Sequence, residues 1–353
     1  MKGMIKEAVL KLGGYSVAQD FSRVKLNQNE SPVDIPTEVK EEILRRLKAV
    51  HWNRYPPSEA DSLIQKIAHY AGCSTSRVMV GSGSNELIQA FIYAVCDSGD
   101  SILVVQPGFS IYKRVAKVMN INVVEVPLKE DFSFDVEAII EREKKAKLVI
   151  LASPHNPTGT ALKFEEIKRI ALNFNGMVAV DEAYYGFHRE TAQGLIDELN
   201  NIVIFRTFSK ALGLAGIRLG YLLGREETVR ELLKSRLPFS PGIFQQVAGE
   251  VALEKIKVIE QNVDRIIEER ERLFRRLKEI RHIQPIPSHA NFLLFESKHW
   301  SGKELYERLY ENGVVVRYFH VLRLKNMLRV TVGTPEENDI FLEKMEQITE
   351  RNL

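Results

Sequence analysis

The sequence predicts an α/β fold: a mostly parallel mixed sheet flanked by helices, with a smaller α+β domain attached. Three observations predict it. Between residues 78 and 223, short apolar runs bounded by Gly, Pro and polar residues alternate with helical periods of roughly 8–12 residues, the pattern of βαβ units. Several of these runs end in a residue able to do chemistry, as expected where strand carboxyl ends meet at the edge of an open parallel sheet. After about Glu226 the alternation gives way to long, charge-laced helical stretches, and then to strands around a single helix.

Residues 1–36 read as irregular and extended, punctuated by Pro32 and Pro36. Thr37 is placed to cap a helix running to about Lys48, and HWNRYPPSEAD is a proline-broken loop. Glu59–Ala71 is helical by the spacing of Leu63, Ile67 and Tyr70. The alternating series follows. Its predicted strands are Val78–Val80, Ser101–Val105, Val123–Pro127, Leu148–Ala152, Met177–Val180, Ile202–Phe205 and Leu219–Leu223. Its helices are Leu87–Val95, Phe109–Met119, Val136–Lys144 and Phe164–Phe174. Beyond it, Thr228–Ser235 and Phe244–Lys278 are helical, the second a solvated helix with a narrow apolar stripe. Asn291–Glu296, Val314–Phe319 and Met327–Gly333 are strands around a helix from Gly302 to Tyr310. This pattern assigns 46–265 to a large domain, and 1–45 with 266–353 to a small one.

Composition narrows the function class. Basic and acidic residues nearly balance, 49 against 47 for a net charge of +2, which gives no footprint for nucleic acid or another polyanion. A hydrophobic fraction of 44% with 27% charged residues is ordinary for a soluble globular chain. The 8 histidines, His51, His69, His282 and His289 among them, lack metal-ligand spacing, so no metal is expected. Cys73 and Cys96 are too few for a disulfide framework and read as reduced thiols in a cytoplasmic protein. The N-terminus has no signal-type apolar core, and no segment reaches the roughly 18 apolar residues of a membrane span.

Five strand ends carry candidate chemistry. In VIFRTFSKALGLAGIRLGYLLG, Ser209, Lys210 and Arg218 lie between two apolar runs; a hydroxyl and a guanidinium bind phosphate, and a sheltered lysine forms a Schiff base. GSGSNE joins a strand to a helix, so the amides of Gly83, Ser84 and Asn85 suit a phosphate, or form a plain helix start. It lacks the endings of a dinucleotide fingerprint or a P-loop. SPHNPTG holds the Asn156 amide at the sheet edge, or is a simple turn. In VAVDEAYYGF a buried Asp181 requires a cation, either a protonated pyridine nitrogen or a metal, and Tyr184 reaches a ring hydroxyl. Phe109 in QPGFSIY is a stacking face for a planar ring, or core.

Taken together, over nearly the whole chain, these motifs resemble the fold-type I pyridoxal-phosphate-dependent aminotransferases. The resemblance implies that family's transferase fold and pyridoxal 5'-phosphate as cofactor. It makes Lys210 the aldimine-forming lysine, Asp181 the partner of the ring nitrogen, and Asn156 and Tyr184 the partners of the ring oxygen. Ser209 and Arg218 hold the phosphate.

Within the family, LNQNESP, RYPPSEADSL, GSGSNELI, PHNPTG, DEAYYGF, RTFSKALGLAGIRLGY, RLPF and LRVTVGTPEEN are most similar to the histidinol-phosphate aminotransferase group. That likeness implies ping-pong transamination between histidinol phosphate and 2-oxoglutarate, giving imidazole-acetol phosphate and glutamate in histidine biosynthesis. It places Arg329 at the substrate α-position or glutamate carboxylate, Arg317 at the substrate phosphate and Tyr15 over the substrate. It also makes the protein a homodimer in which Tyr55 reaches the neighbouring subunit's cofactor phosphate. The chain departs from the family pattern at Asn85, where Asp is common, at His155, where Asn is usual, and at Phe109, where Tyr is common. Two further readings share the same cofactor set: a threonine-phosphate decarboxylase and a broad aromatic aminotransferase. A transcription regulator would need a DNA-binding domain, for which residues 1–36 are too short.

Overall fold

The computed structural model describes residues 3–14, 23–143 and 146–350. Its largest element is a seven-stranded sheet made of β1 (Val78–Gly81), β2 (Ser101–Gln106), β3 (Asn122–Pro127), β4 (Leu148–Ala152), β5 (Met177–Asp181), β6 (Ile202–Thr207) and β7 (Gly220–Leu223). The spatial order is β1-β7-β6-β5-β4-β2-β3. Every pairing is parallel except those of β7, which runs antiparallel to both β1 and β6. The interior strands are buried and mostly apolar, with polar residues such as Asp181 and Arg206 at their carboxyl ends, because helices cover both faces. Two apolar clusters fill the two faces, one around Val149, Val180 and Phe208, the other around Ile150, Phe205 and Phe91.

The second unit is a four-stranded antiparallel sheet of β8 (Ile283–Pro285), β9 (Phe292–Ser297), β10 (Arg317–Tyr318) and β11 (Met327–Thr331), in the order β10-β11-β9-β8. A short parallel pair, Val24–Lys25 with Val314–Val315, ties the N-terminal segment to it. Its core gathers Leu26, Leu273, Phe295 and Phe341. No helix among the described residues is long and apolar enough to cross a membrane.

The predicted sheet strands are all present, with ends shifted by a residue or two. Other expectations are corrected. Phe244–Lys278 is two helices, Ile243–Glu254 and Ile256–Glu279, turning at Lys255. Val314–Phe319 is two short strands serving different sheets. Thr37 is the first helical residue rather than the cap, which is Pro36 and makes no side-chain capping bond. The first segment holds a short helix, Glu7–Leu10, besides the strand at Val24.

Candidate active site

The strand order brings β1, β5 and β6 close enough for their carboxyl-end loops to meet. β1 runs into the helix Ser84–Val95 through Gly83, whose φ of 87° lies in the left-handed region. A Cβ there would stand 2.8 Å from an Arg218 Nη2, so only glycine lets that guanidinium lie against the loop. No side chain caps this helix, leaving its first turn of amides and its dipole directed at the same place. Arg218 Nη1 donates to Ser209 Oγ at 3.1 Å, and Ser209 is buried. Gly83, Ser84, Asn85, Ser209 and Arg218 thus lie where a helix start, a hydroxyl and a guanidinium could hold an anion.

Lys210 follows β6 and donates from Nζ to the carbonyl of Gln28 at 2.9 Å. The residue keeps some accessibility, but its ammonium is desolvated and lies near the Arg329 charge. Those two effects, desolvation the larger, lower its pKa to about 7. Near neutrality its free amine is therefore within reach, unlike that of an ordinary lysine.

Asp181 closes β5 and is buried. Its Oδ2 accepts from the Tyr112 hydroxyl at 2.5 Å, and its Oδ1 from the Ala183 amide at 3.1 Å. Desolvation outweighs both bonds and raises its pKa to about 6. A carboxylate so placed is short of a positive partner. Glu182 does not supply a metal site with it. It follows the end of β5 and is engaged elsewhere, pairing with Arg206 of β6 at 2.9 Å, both deeply buried, while the Arg206 guanidinium lies 3.8 Å over the Tyr185 ring. That pair fixes the ends of β5 and β6 relative to one another.

The Tyr184 hydroxyl accepts from Asn156 Nδ2 at 3.2 Å and from Asn29 Nδ2 at 2.8 Å. Asn156 Oδ1 in turn accepts from Arg329 Nη1 at 2.6 Å, and Arg329 also donates to the Asn27 carbonyl at 2.9 Å. Arg329 on β11 sits directly across from Arg317 on β10. Arg317 makes no ion pair among the described residues; its guanidinium lies 5.8 Å from the centre of the Phe319 ring and near Tyr306. His155 is buried and shares a 2.9 Å hydrogen bond between Nδ1 and Thr158 Oγ1; burial holds its pKa at about 3, so it is neutral. It pins the turn that presents Asn156.

Lys210, Asn156, Tyr184 and Arg329 are therefore brought together, with Asp181 joined through Tyr112 to the helix Ser110–Val118, which Phe109 caps. Phe109 lies edge-on to Tyr112 at 5.5 Å. Tyr55 stands apart in the single chain: it is 80% exposed and stacks on Phe239 at 4.3 Å. Tyr15 lies outside the described residues. The motif reading missed Tyr112, Asn29 and the Gln28 carbonyl. For Tyr112 the signal was one helical turn of spacing from Phe109; for Gln28 and Asn29 it was LNQNESP, which likeness marked without assigning roles.

An uncapped helix start with an arginine and a serine, a sheltered amine of lowered pKa, and a buried carboxylate short of a cation fit the phosphate, aldehyde and ring nitrogen of pyridoxal phosphate. Residues 22–345 match the aminotransferase class I and II family. A histidinol-phosphate aminotransferase from Thermococcus gammatolerans is 43% identical over 345 residues, covering 98% of this chain and 97% of its own. One from Prosthecochloris aestuarii is 35% identical over 351 residues, covering 98% of each. Among solved structures, the histidinol-phosphate aminotransferase of Sinorhizobium meliloti in complex with pyridoxal-5'-phosphate superposes with a TM-score of 0.90 at 23% identity, covering 99% of both chains. With the lysine, aspartate and candidate anion site at the strand ends, these matches over almost the full length establish that the chain belongs to the aminotransferase class I and II family, in the company of histidinol-phosphate aminotransferases.

Proposed function

We propose that the protein transfers an amino group between histidinol phosphate and 2-oxoglutarate with pyridoxal 5'-phosphate as cofactor. The observation that carries the substrate half is the facing pair Arg317 and Arg329. Two guanidiniums directly opposite on neighbouring strands concentrate positive charge at one place, an arrangement suited to an anion. A phosphate or carboxylate accepts such guanidiniums through paired hydrogen bonds. Because Arg329 also touches Asn156, that anion lies alongside the cofactor residues.

When bound, the cofactor supplies an electron sink for the charge left at the substrate carbon that loses its proton. The side chains do the rest. Arg218, Ser209 and the first amides of Ser84–Val95 bind the phosphate. Asp181 holds a proton on the ring nitrogen, and Asn156 with Tyr184 orients the ring oxygen. Phe109 offers a stacking face, without the phenol that a tyrosine would bring. Lys210 supplies the nucleophilic amine and then moves the proton as base and acid, a task suited to a group titrating near 7. On this reading 46–265 holds the cofactor, while 1–45 with 266–353 forms the small domain that carries Arg317 and Arg329.

Amino transfer from glutamate to imidazole-acetol phosphate is expected to be much faster than to phenylpyruvate, followed by cofactor absorbance. Arg317→Met should raise KM for the phosphorylated substrate by about tenfold or more, since a charge-assisted bond is lost, and leave that for phenylpyruvate unchanged. Equal rates on the two acceptors would favour an aromatic aminotransferase. Release of CO2 from threonine phosphate would favour a decarboxylase.

The same proposal includes a homodimer in the cytoplasm. Trp52, Tyr55, Leu237 and Phe244 are exposed apolar side chains, with Trp52 packed on Phe244 at 5.0 Å and Tyr55 stacked on Phe239. Ser240, next to Phe239, meets Ser82 at 3.1 Å, so this patch borders the phosphate loop. Exposed aromatic clusters of this kind mark interfaces. Sedimentation should give twice the chain mass. Tyr55→Ala should weaken cofactor binding, and a monomer with unchanged cofactor affinity in that variant would refute the shared site.

A further inference from the structure

We propose that Tyr112 is a positioning residue for the cofactor's ring nitrogen, acting through the Asp181 carboxylate. The inference rests on the pyridoxal phosphate reading above and extends it to a residue that reading does not use.

Tyr112 is buried, in the first turn of the helix Ser110–Val118. A buried phenol must place its hydrogen, and the hydroxyl donates to Asp181 Oδ2 at 2.5 Å. The Ala183 amide holds Oδ1, so both carboxylate oxygens are fixed and the carboxyl plane cannot rotate. Each oxygen still has a second lone pair free for a ring N–H.

The charges around the pair explain why the bond matters. Asp181 is surrounded by protein that penalises its ionised form, and the neighbouring Glu182 adds to the penalty while being neutralised by Arg206. Tyr112 and the Ala183 amide are what favour the carboxylate before any cofactor is present. The phenol itself is kept firmly protonated, because burial and the charges of Asp181 and Tyr184 push its pKa well above the ordinary tyrosine value. It is thus a permanent donor and never a competing base.

Phe109, the cap residue of the same helix, lies edge-on to Tyr112. One short helix therefore carries both the stacking face and the clamp on the carboxylate. Displacement of this helix moves the two together, and the ring would meet its stacking partner and its nitrogen partner as one unit.

The test is a titration of apoprotein with pyridoxal phosphate, read by absorbance and repeated across pH. In Tyr112→Phe the carboxylate loses a charge-assisted bond, worth about ten- to hundredfold in affinity at pH 6. Asp181 then protonates at higher pH, so the fall in affinity on acidification should begin at higher pH than in the wild type. Tyr112→His retains a donor and is expected to recover most of the affinity. Catalysis in Tyr112→Phe should fall in kcat with little change in KM for the amino donor. An affinity and acid limb in Tyr112→Phe equal to the wild type would overturn the proposal. So would equal losses in Tyr112→Phe and Tyr112→His at every pH, which would mark a packing role. Should Tyr112→Phe fail to fold, Tyr112→Met takes its place: an acid limb shifted to higher pH in that variant with affinity recovered in Tyr112→His supports the clamp, and an unshifted limb contradicts it. Failure of wild-type apoprotein to bind pyridoxal phosphate would instead sink the functional reading itself.

Discussion

Lys210→Ala is expected to lower kcat for amino transfer by about 10⁴-fold or more, because one substitution removes both the nucleophile and the general base. The fold should survive. Lys210 is bonded to a single carbonyl, that of Gln28, and the substitution deletes a desolvated cation rather than a packing element. The same lysine gives a pH signature in the unmodified protein. Its amine is protonated below about 7 and free above it, so the rate at which apoprotein captures pyridoxal phosphate should rise as pH passes up through about 7 and then level. A purified Lys210→Ala protein retaining turnover within about tenfold of the wild type would take Lys210 out of the chemistry.

Asp181 should give the second largest effect. Asp181→Ala is expected to bind the cofactor weakly and to lose about 10²–10³-fold in kcat, the usual consequence of deleting an electrostatic partner of developing charge. It also strands the Tyr112 hydroxyl in the core, a cost of about 1–3 kcal/mol that should appear as a lower melting temperature. Asp181→Asn keeps an acceptor for Tyr112 and separates the two effects: kcat should still fall, while stability should not. The stability of the wild-type apoprotein carries a related sign. The folded carboxyl titrates at about 6, above the ordinary 3.8, so between those values the folded state holds a proton that the unfolded chain has released. Stability from this group is full below pH 3.8 and is lost as pH rises through about 6, a swing of about 3 kcal/mol that Asp181→Asn should abolish. Near-normal turnover in Asp181→Ala would contradict the role assigned to it.

The placement of the candidate residues was largely legible because each lies at or near the end of an apolar run. Asp181 ends its strand, and Asn156 and Lys210 follow theirs within four residues; the hydrophobicity of those strands marks them as buried, and an open parallel sheet places such ends together. The remainder depended on pairings that local pattern does not encode. Val314–Phe319 reads as one strand, yet Val314 pairs with Val24 and Arg317 with Arg329. The turn at Lys255 has neither Gly nor Pro to announce it. Tyr112 looks like any core aromatic of an amphipathic helix. One signal was there and went unused: in Thr334–Glu337, the Thr334 hydroxyl accepts from the Glu337 amide at 3.2 Å and the Glu337 carboxylate from the Thr334 amide at 2.9 Å, a capping box that opens the helix Pro335–Glu350.

The bond from Arg329 to the Asn27 carbonyl and that from the Asn29 amide to Thr331 each span 302 positions of sequence. A polypeptide is made from its N-terminus, and its units fold as they emerge. By the time Leu223 has completed the large sheet, Asn156, Asp181, Tyr184 and Lys210 all exist, while residues 24–27 still lack their partners at Val314, Val315, Arg329 and Thr331. Arg317 and Arg329 follow the large sheet by about a hundred residues, and only then can residues 24–27 be fixed in place. The order of synthesis thus separates Lys210, Asp181 and Asn156 from the two facing arginines, and the strand Val24–Lys25 waits for one made almost three hundred residues later.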